Sequence, residues 1–205
     1  MTMVKLCGIF RNEDVAAVNE ARPDMCGFIV DYPKSHRSLD PVRLRALSSQ
    51  VSPGITRVGV FVDADIETIV GLAAEGVIDA AQLHGSEDAA YVRTLRERTP
   101  IGVIQAFQVH GAQDIARAQA SPADMVLLDA GQGAGTAFDW SLVEGITRPF
   151  MLAGGLGPNN VSAAIMQLRP WGVDMSSSLE TGRLKDPEKM VAAVAAVRST
   201  DEQLA

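Results

Sequence analysis

The sequence has few cysteines and no long apolar run, and each shortage excludes a class of protein. Two cysteines in 205 residues fit free thiols in a reducing compartment better than a disulfide framework. No apolar stretch approaches the ~20 residues that cross a bilayer, and the first residues lack the basic-then-apolar layout of a signal peptide. We therefore expect a cytoplasmic protein.

Positive charge is also scarce. With 18 Lys and Arg against 25 Asp and Glu, the formal net charge is -7. Nucleic acids and anionic membranes bind to basic surfaces, so neither is expected as a partner. The remaining composition, with 47% hydrophobic and 21% charged residues, is typical of a folded globular chain. An anionic ligand would have to be held by groups close to it, because the net negative charge of the protein repels it.

Short apolar runs, rich in β-branched residues, alternate with alanine-rich amphipathic segments along the chain. The segments carry apolar residues at helical spacing. Strands that are apolar on both faces and are each followed by a helix belong to a covered parallel sheet. Eight such units predict a single (β/α)8 TIM barrel, of the α/β class, over residues 1–205. The eight strands are expected to begin near Met3, Met25, Arg57, Asp79, Ile101, Asp124, Pro149 and Gly172.

An open doubly wound sheet is the alternative fold. It is disfavoured because the first strand-to-helix turn, "CGIFRNED", contains no G-x-G-x-x-G, and no other stretch supplies that motif after a strand. No linker, low-complexity tract or shift in composition divides the chain. We therefore expect one domain.

In a barrel of this kind, functional residues lie at the carboxyl ends of the strands and in the loops that follow. Those ends offer a thiol at Cys7, a guanidinium at Arg37, an imidazole at His84 and a carboxylate at Asp129. The ends of the seventh and eighth strands, "LAGGL" and "MSSSLETGR", are rich in Gly and Ser. Loops of that composition bind phosphate through backbone N–H groups in many barrels.

Lys5 and Cys7 are two residues apart in the first strand, so their side chains share one face. Closure of the barrel places the eighth strand beside the first, and Asp174 has the same parity as Ser176 in that strand. We expect Lys5 to pair with Asp174 inside the barrel, because either charge alone would be costly to bury. We also expect the Lys5 cation to raise the thiolate fraction of Cys7.

Several motifs, taken in order along nearly the whole chain, resemble those of the phosphoribosylanthranilate isomerase family: "VKLCGIF", "YPKSHR", "QLHG", "LLDA", "GAGTAFDW", "LAGGLGPNNV" and "VDMSSSLET". The resemblance implies a (β/α)8 barrel, without metal or organic cofactor, that catalyses an Amadori rearrangement in tryptophan biosynthesis. Its small-molecule substrate would be N-(5-phosphoribosyl)anthranilate, and its product 1-(o-carboxyphenylamino)-1-deoxyribulose 5-phosphate. By the matching motifs, Cys7 would be the general base, Asp129 the general acid and Arg37 the partner of the anthranilate carboxylate.

The residue types suit that chemistry. Ring opening of an aldosylamine needs a proton on the ring oxygen, and a carboxylic acid can donate it if an apolar setting raises its pKa. Asp129 ends the apolar run "MVLLD" and has such a setting. The protonated imine that results acidifies the C2 proton of the sugar, so a modest base such as Cys7 suffices.

Other residues are expected to bind the substrate without reacting. Gln82 and His84 share one face of the fourth strand and should line the site, together with Asp174. The phosphate should be held by backbone N–H groups, with no lysine clamp, around Gly154, Gly155, Ser176 and Ser177. Each of these residues could instead have a purely structural role in packing, capping or solvation. For Cys26, His36 and His110 we expect only such a structural role.

The chain departs from the family pattern in three places. Ser178 stands where the family usually has glycine, and a serine tolerates positive φ poorly, so a changed path of the phosphate loop is expected. Ala134 and Ala137 replace glycines after Asp129 and should stiffen that loop. The usual Pro-Gly after "ET" is reduced to Gly182 followed by Arg183.

Two other functions stay open at the level of sequence. The first is another sugar-phosphate isomerase or epimerase, which would share the Gly/Ser loops but would not need Cys7, Arg37 and Asp129 together. The second is a barrel that binds a phosphorylated metabolite without converting it. An acid and a base kept at different strand ends argue against the second. Nothing in the sequence indicates the oligomeric state.

Overall fold

The computed structural model describes residues 1–129, 143 and 145–205, and it shows eight parallel strands in a closed barrel. Each strand pairs with its neighbours in chain order, and pairing of the first with the eighth closes the barrel. This confirms the predicted (β/α)8 barrel and excludes the open sheet. Each strand begins at the predicted residue or next to it: β1 Met3–Cys7, β2 Met25–Ile29, β3 Thr56–Phe61, β4 Ala80–Leu83, β5 Gly102–Gln108, β6 Met125–Asp129, β7 Phe150–Ala153 and β8 Gly172–Met175.

Seven α-helices lie in the described part of the chain. Several begin where the sequence places an aspartate: the side chains of Asp40, Asp65, Asp88 and Asp186 accept hydrogen bonds from backbone N–H groups of the first turn. None of these helices is long and apolar enough to cross a bilayer. Their bounds are α1 Asn12–Ala21, α2 Pro41–Ser48, α3 Ile66–Ala74, α4 Ala89–Arg98, α5 Ala112–Ala120, α6 Val161–Leu168 and α7 Pro187–Gln203.

Two apolar cores stabilise the barrel. The larger lies between the strands and the helices and contains, among others, Leu6, Phe28 and Val126. The smaller fills the inside of the barrel with residues of the opposite parity, such as Val58, Ile104 and Leu127. Burial of each such side chain contributes about 1.5–3 kcal/mol. This packing holds the strand ends in fixed positions around the mouth of the barrel.

A small hairpin is added after β8. It consists of β9, Glu180–Thr181, and β10, Leu184–Lys185, and a single turn of 3-10 helix, Ser177–Leu179, precedes it. The turn residues Gly182 and Arg183 have φ of 59° and 65°, the left-handed geometry of a tight two-residue hairpin. The "TGR" segment therefore completes the hairpin turn without the Pro-Gly that the family usually has after "ET".

Candidate active site

The predicted site residues lie at the carboxyl ends of the strands. Cys7 ends β1, Asp129 ends β6 and His84 directly follows β4, while Gly154 and Ser176 follow β7 and β8. Because parallel strands all point the same way, these ends surround one mouth. Around the barrel, β8 and β7 separate β1 from β6. The proposed base and acid therefore reach the mouth from different sides.

Lys5 and Asp174 form an ion pair inside the barrel. They are register partners on β1 and β8, and Lys5 Nζ donates to Asp174 Oδ1 at 3.0 Å and to Oδ2 at 2.9 Å. Burial lowers the pKa of Lys5, but Asp174 and Cys7 raise it more, to about 12, so the ammonium stays charged. The predicted pair is confirmed. A contact of Asp174 with substrate stays a prediction, and both of its oxygens already bind Lys5.

Because Gly27 has no side chain, there is room for the Cys7 thiol inside the barrel. Gly27 is the register partner of Cys7 on β2. A Cβ on Gly27 would lie 2.8 Å from Cys7 Sγ and 3.1 Å from Lys5 Nζ, which is too close for either atom to keep its place. The glycine therefore allows the thiol and the ammonium to lie side by side within the barrel.

Burial and the Lys5 cation act on the pKa of Cys7 in opposite directions. Burial raises the pKa of the Cys7 thiol, and the lowering by the Lys5 cation does not offset it. Asp174 raises this pKa further, because its carboxylate disfavours a second anion nearby. Lys5 therefore favours the thiolate, as expected, but burial outweighs its effect and the net pKa of Cys7 is raised in the free protein. Lys5 is already paired, and Cys7 is only 7% exposed.

This balance predicts how Cys7 reacts with iodoacetamide. Because the thiolate is the nucleophile, alkylation should accelerate with pH to a midpoint above ~8.5, the ordinary pKa of a thiol. In Asp174→Asn the midpoint should move to lower pH, since one cause of the raised pKa is removed. Peptide mass spectrometry would follow Cys7 separately from Cys26. A wild-type midpoint below that of a free thiol would contradict the dominance of burial.

Asp129 lies beside His84 at the mouth. Its Oδ2 is 3.7 Å from His84 Nε2, and His84 Nδ1 is 3.1 Å from Gln82 Nε2. The Asp129 side chain is 21% exposed, whereas Gln82 is buried. Among the described residues, Gln82 Oε1 finds no hydrogen-bond partner. The predicted shared face of Gln82 and His84 is confirmed, and this row of polar groups leads to the proposed acid.

The Arg37 side chain lies against Gly8, and its guanidinium binds a carboxylate of the protein itself. Arg37 Nε donates to Glu180 Oε1 at 2.6 Å, and Nη2 donates to Oε2 at 2.8 Å. The stem of Arg37 crosses Gly8, where a Cβ would lie 2.5 Å from Arg37 Cδ. Arg37 is thus no solvated surface charge. One edge of its guanidinium is occupied, and its contact with substrate stays a prediction.

Glu180 and Lys185 lie beside Arg37 and Ser176, and neither was predicted from the sequence. Lys185 Nζ donates to Glu180 Oε1 at 3.0 Å and to the backbone oxygen of Ser176 at 2.9 Å. Burial lowers the pKa of Lys185. Burial would raise the pKa of Glu180, but its hydrogen bonds to Arg37 and Lys185 lower it overall. The available signal was the "ETGRLK" stretch, whose turn makes Glu180 and Lys185 cross-strand partners.

The loops after β7 and β8 carry the proposed phosphate site. Gly154 and Gly155 have φ of 100° and 64°, a backbone that side chains disfavour. Among the described residues, and apart from the chain neighbours of Gly155, no atom lies within 4 Å of where a Gly155 Cβ would be. The eighth loop is anchored to β1, because Ser176 Oγ donates to the Cys7 backbone oxygen at 3.0 Å. Ser177 opens the 3-10 turn that follows. The phosphate contacts of these four residues stay a prediction.

Ser178 connects these two loops. Its hydroxyl donates to the backbone oxygen of Leu156, and it does not have a positive φ. Ser178 therefore fits here without the positive φ that a serine tolerates poorly, and the changed path of the loop stays a prediction. Ala134 and Ala137, the other departures, lie outside the described residues.

Three residues without an expected role are found at different depths. Cys26 is fully buried in the outer core, where burial raises its pKa to about 12. His110 is exposed, as predicted. His36 is also exposed, as predicted, although its ring packs edge-on against Phe10 and its Nε2 is 3.9 Å from Glu180 Oε2. In residues 1–129, 143 and 145–205, no group of three or more His, Cys, Asp or Glu side chains is arranged to hold a metal ion.

Comparisons with known proteins agree with one another. The profile of the family described as N-(5'phosphoribosyl)anthranilate (PRA) isomerase matches residues 4–196. A relative named N-(5'-phosphoribosyl)anthranilate isomerase, from Desulforudis audaxviator, is 41% identical over 197 residues, covering 93% of this chain and 95% of the relative. The crystal structure of phosphoribosyl anthranilate isomerase from Thermotoga maritima aligns with a TM-score of 0.86 at 37% identity, covering 97% of this chain and 100% of the other.

A second solved structure similar to this chain contains a ligand. It is a phosphoribosyl anthranilate isomerase in complex with reduced 1-(o-carboxyphenylamino)-1-deoxyribulose 5-phosphate. It aligns with a TM-score of 0.85 at 37% identity, and the alignment covers 97% of this chain and 100% of the other.

Proposed function

The chain belongs to the N-(5'-phosphoribosyl)anthranilate isomerase family and is an isomerase of tryptophan biosynthesis, and we propose that Cys7 and Asp129 carry out its proton transfers. The substrate is N-(5-phosphoribosyl)anthranilate and the product is 1-(o-carboxyphenylamino)-1-deoxyribulose 5-phosphate. The observation that carries the assignment is the position of Cys7 and Asp129 at the ends of β1 and β6, around one mouth. The alternatives of another sugar-phosphate isomerase and of a non-catalytic barrel are set aside.

In the first step, Asp129 donates a proton to the ring oxygen of the ribose. The bond between C1 and that oxygen breaks, and the nitrogen lone pair forms a protonated imine with C1. The partial exposure of Asp129 lets it exchange protons with solvent between turnovers. His84, 3.7 Å away, helps to hold the carboxyl group in place.

In the second step, Cys7 removes the proton from C2. The electron pair of the broken C–H bond moves toward the positive imine and leaves an enolamine, which becomes the ketone when C1 gains a proton and the C2 hydroxyl loses one. With its pKa raised, Cys7 is mostly a protonated thiol in the free protein and cannot accept a proton. The positive imine that forms in the site favours the thiolate, so Cys7 releases its proton to solvent when the ring has opened and then accepts the proton from C2.

We propose that residues 1–205 act as one catalytic domain in the cytoplasm without a metal or organic cofactor. A direct assay tests the activity: purified protein with EDTA is mixed with freshly made substrate, and the change in the anthranilate fluorescence signal is followed. We expect enzyme-dependent conversion at the same rate with and without EDTA. No conversion above the uncatalysed rate would contradict the function, and loss of activity in EDTA would contradict the metal-free mechanism.

Arg37 binds the anthranilate carboxylate in this proposal, because a guanidinium can hold a carboxylate through two parallel hydrogen bonds. Arg37→Ala should raise KM by ~10-fold or more and lower kcat less. Arg37→Lys should recover only part of the loss, since an ammonium is a point charge. Steady-state kinetics on the three proteins would check this. Equal KM values would remove Arg37 from the binding site.

The phosphate contact predicts a large effect at Gly155. Gly155→Val would place a branched side chain in the open space and on a left-handed backbone, so KM should rise by ~10-fold or more. Gly54 supplies a matched control, because it also has a positive φ and an empty Cβ position but lies in the loop before β3. Gly54→Val should reduce thermal stability without changing KM. Similar KM values for both variants and wild type would place the phosphate elsewhere.

A further inference from the structure

Glu180 joins three segments of the mouth. Its carboxylate, only 7% exposed, accepts two hydrogen bonds from Arg37 in the loop after β2 and one from Lys185 in the hairpin. Lys185 in turn donates to the backbone oxygen of Ser176 in the eighth loop. A single buried carboxylate thus connects the proposed carboxylate-binding arginine to the proposed phosphate loop.

The geometry of the Arg37 pair leaves a defined edge for a second carboxylate. Glu180 binds the edge formed by Nε and Nη2, and a planar guanidinium has another edge, formed by Nη1 and Nη2, that can make two parallel hydrogen bonds. A bidentate partner fixes the plane of the guanidinium. Gly8 fixes the stem as well, since Arg37 Cδ lies against its backbone. Arg37 is therefore oriented before any substrate arrives.

The charges of the cluster are not balanced. In the part of the chain that the structure describes, Arg37 and Lys185 both form ion pairs with the same carboxylate, that of Glu180. The neighbouring Lys5 and Asp174 neutralise each other. A carboxylate on the second edge of Arg37 would complete the balance, and it would come from the ligand in a chain whose net charge is -7.

We propose that Glu180 is a positioning residue that orients Arg37 for the carboxylate of the substrate's aromatic ring. This inference rests on the proposed function and adds to it a residue that determines specificity. Glu180 does not itself touch the reacting atoms. It limits the loss of conformational freedom when the carboxylate binds, because the guanidinium is already held in one orientation.

The test compares two substrates in wild type and Glu180→Gln. One is N-(5-phosphoribosyl)anthranilate, and the other, made from aniline and ribose 5-phosphate, lacks the carboxylate. Glu180→Gln should raise KM for the first substrate by ~10-fold with a smaller change in kcat, and should change KM for the second by less than ~2-fold. In the Arg37→Ala background, Glu180→Gln should have almost no further effect on KM.

Two variants make the comparison specific. Glu75→Gln is the matched control, because Glu75 forms the same bidentate pair with Arg45 on the outer surface, and its KM values should equal those of wild type. Glu180→Asp keeps the charge with a shorter reach and should recover part of the affinity; it also replaces Glu180→Gln if that variant does not fold.

The outcomes separate this inference from the proposed function. If wild type converts the anthranilate substrate and Arg37→Ala raises its KM, but Glu180→Gln affects both substrates equally or lowers KM, Glu180 is not the positioning residue. A wild-type protein without activity would instead overturn the proposed function.

Discussion

Cys7→Ala is expected to lower kcat by ~10²-fold or more, the usual scale for removal of a positioned base. The reason is that alanine cannot accept the C2 proton, and the nearby Lys5 ammonium has no free lone pair with which to replace the thiolate. KM should change little, because the thiol is not assigned a contact with the carboxylate or the phosphate. Steady-state kinetics and the melting temperature of the variant would be measured together.

Cys26→Ala is the matched control for this result. Cys26 is a second buried thiol, but it lies in the outer core on the opposite face of the sheet. Its removal should cost some stability through the small cavity it leaves and should leave kcat unchanged. A Cys7→Ala enzyme with wild-type turnover would remove Cys7 as the base.

Asp129→Asn is expected to lower kcat by ~10²-fold or more as well. Asparagine keeps the shape of the side chain but cannot deliver a proton to the ring oxygen, so substrate should bind while the ring stays closed. Rapid-quench analysis of a single turnover would show bound, unreacted substrate.

Asp124→Asn provides the comparison for this second variant. Asp124 lies just before the start of β6, at the other end of the strand that Asp129 ends, and it binds Val103 N and Arg96 there. Its replacement should affect stability alone. If Asp129→Asn keeps the kcat of wild type, the acid must be another group.

The sequence predicts the barrel well because the signals for it are local and repeated. Each strand is a short apolar run, and many helices begin at a capping residue that can be recognised without any long-range contact. The Lys5–Asp174 pair could also be predicted, because closure of the barrel makes β1 and β8 neighbours and the period of two then fixes which side chains meet.

Other features depend on quantities that a sequence does not contain. The sign of the Cys7 pKa shift is set by the depth of burial against one paired cation, and pattern reasoning sees only the cation. The Arg37–Glu180 contact joins a loop residue to a residue of the added hairpin, 143 positions apart. The bond of Ser178 to the backbone oxygen of Leu156 also lies outside local patterns, because it depends on how the seventh and eighth loops pack.

The most direct test of the proposed site is a crystal structure of this protein with the reduced, unreactive form of its product. We expect Cys7 Sγ within ~4 Å of C2 and the Asp129 carboxyl group within ~3.5 Å of the oxygen that closes the ribose ring in the substrate. The aromatic carboxylate should lie on the Nη1–Nη2 edge of Arg37 and the phosphate on the backbone of the seventh and eighth loops. A ligand whose C2 lies far from Cys7, or whose phosphate is held mainly by lysine or arginine side chains, would contradict the account.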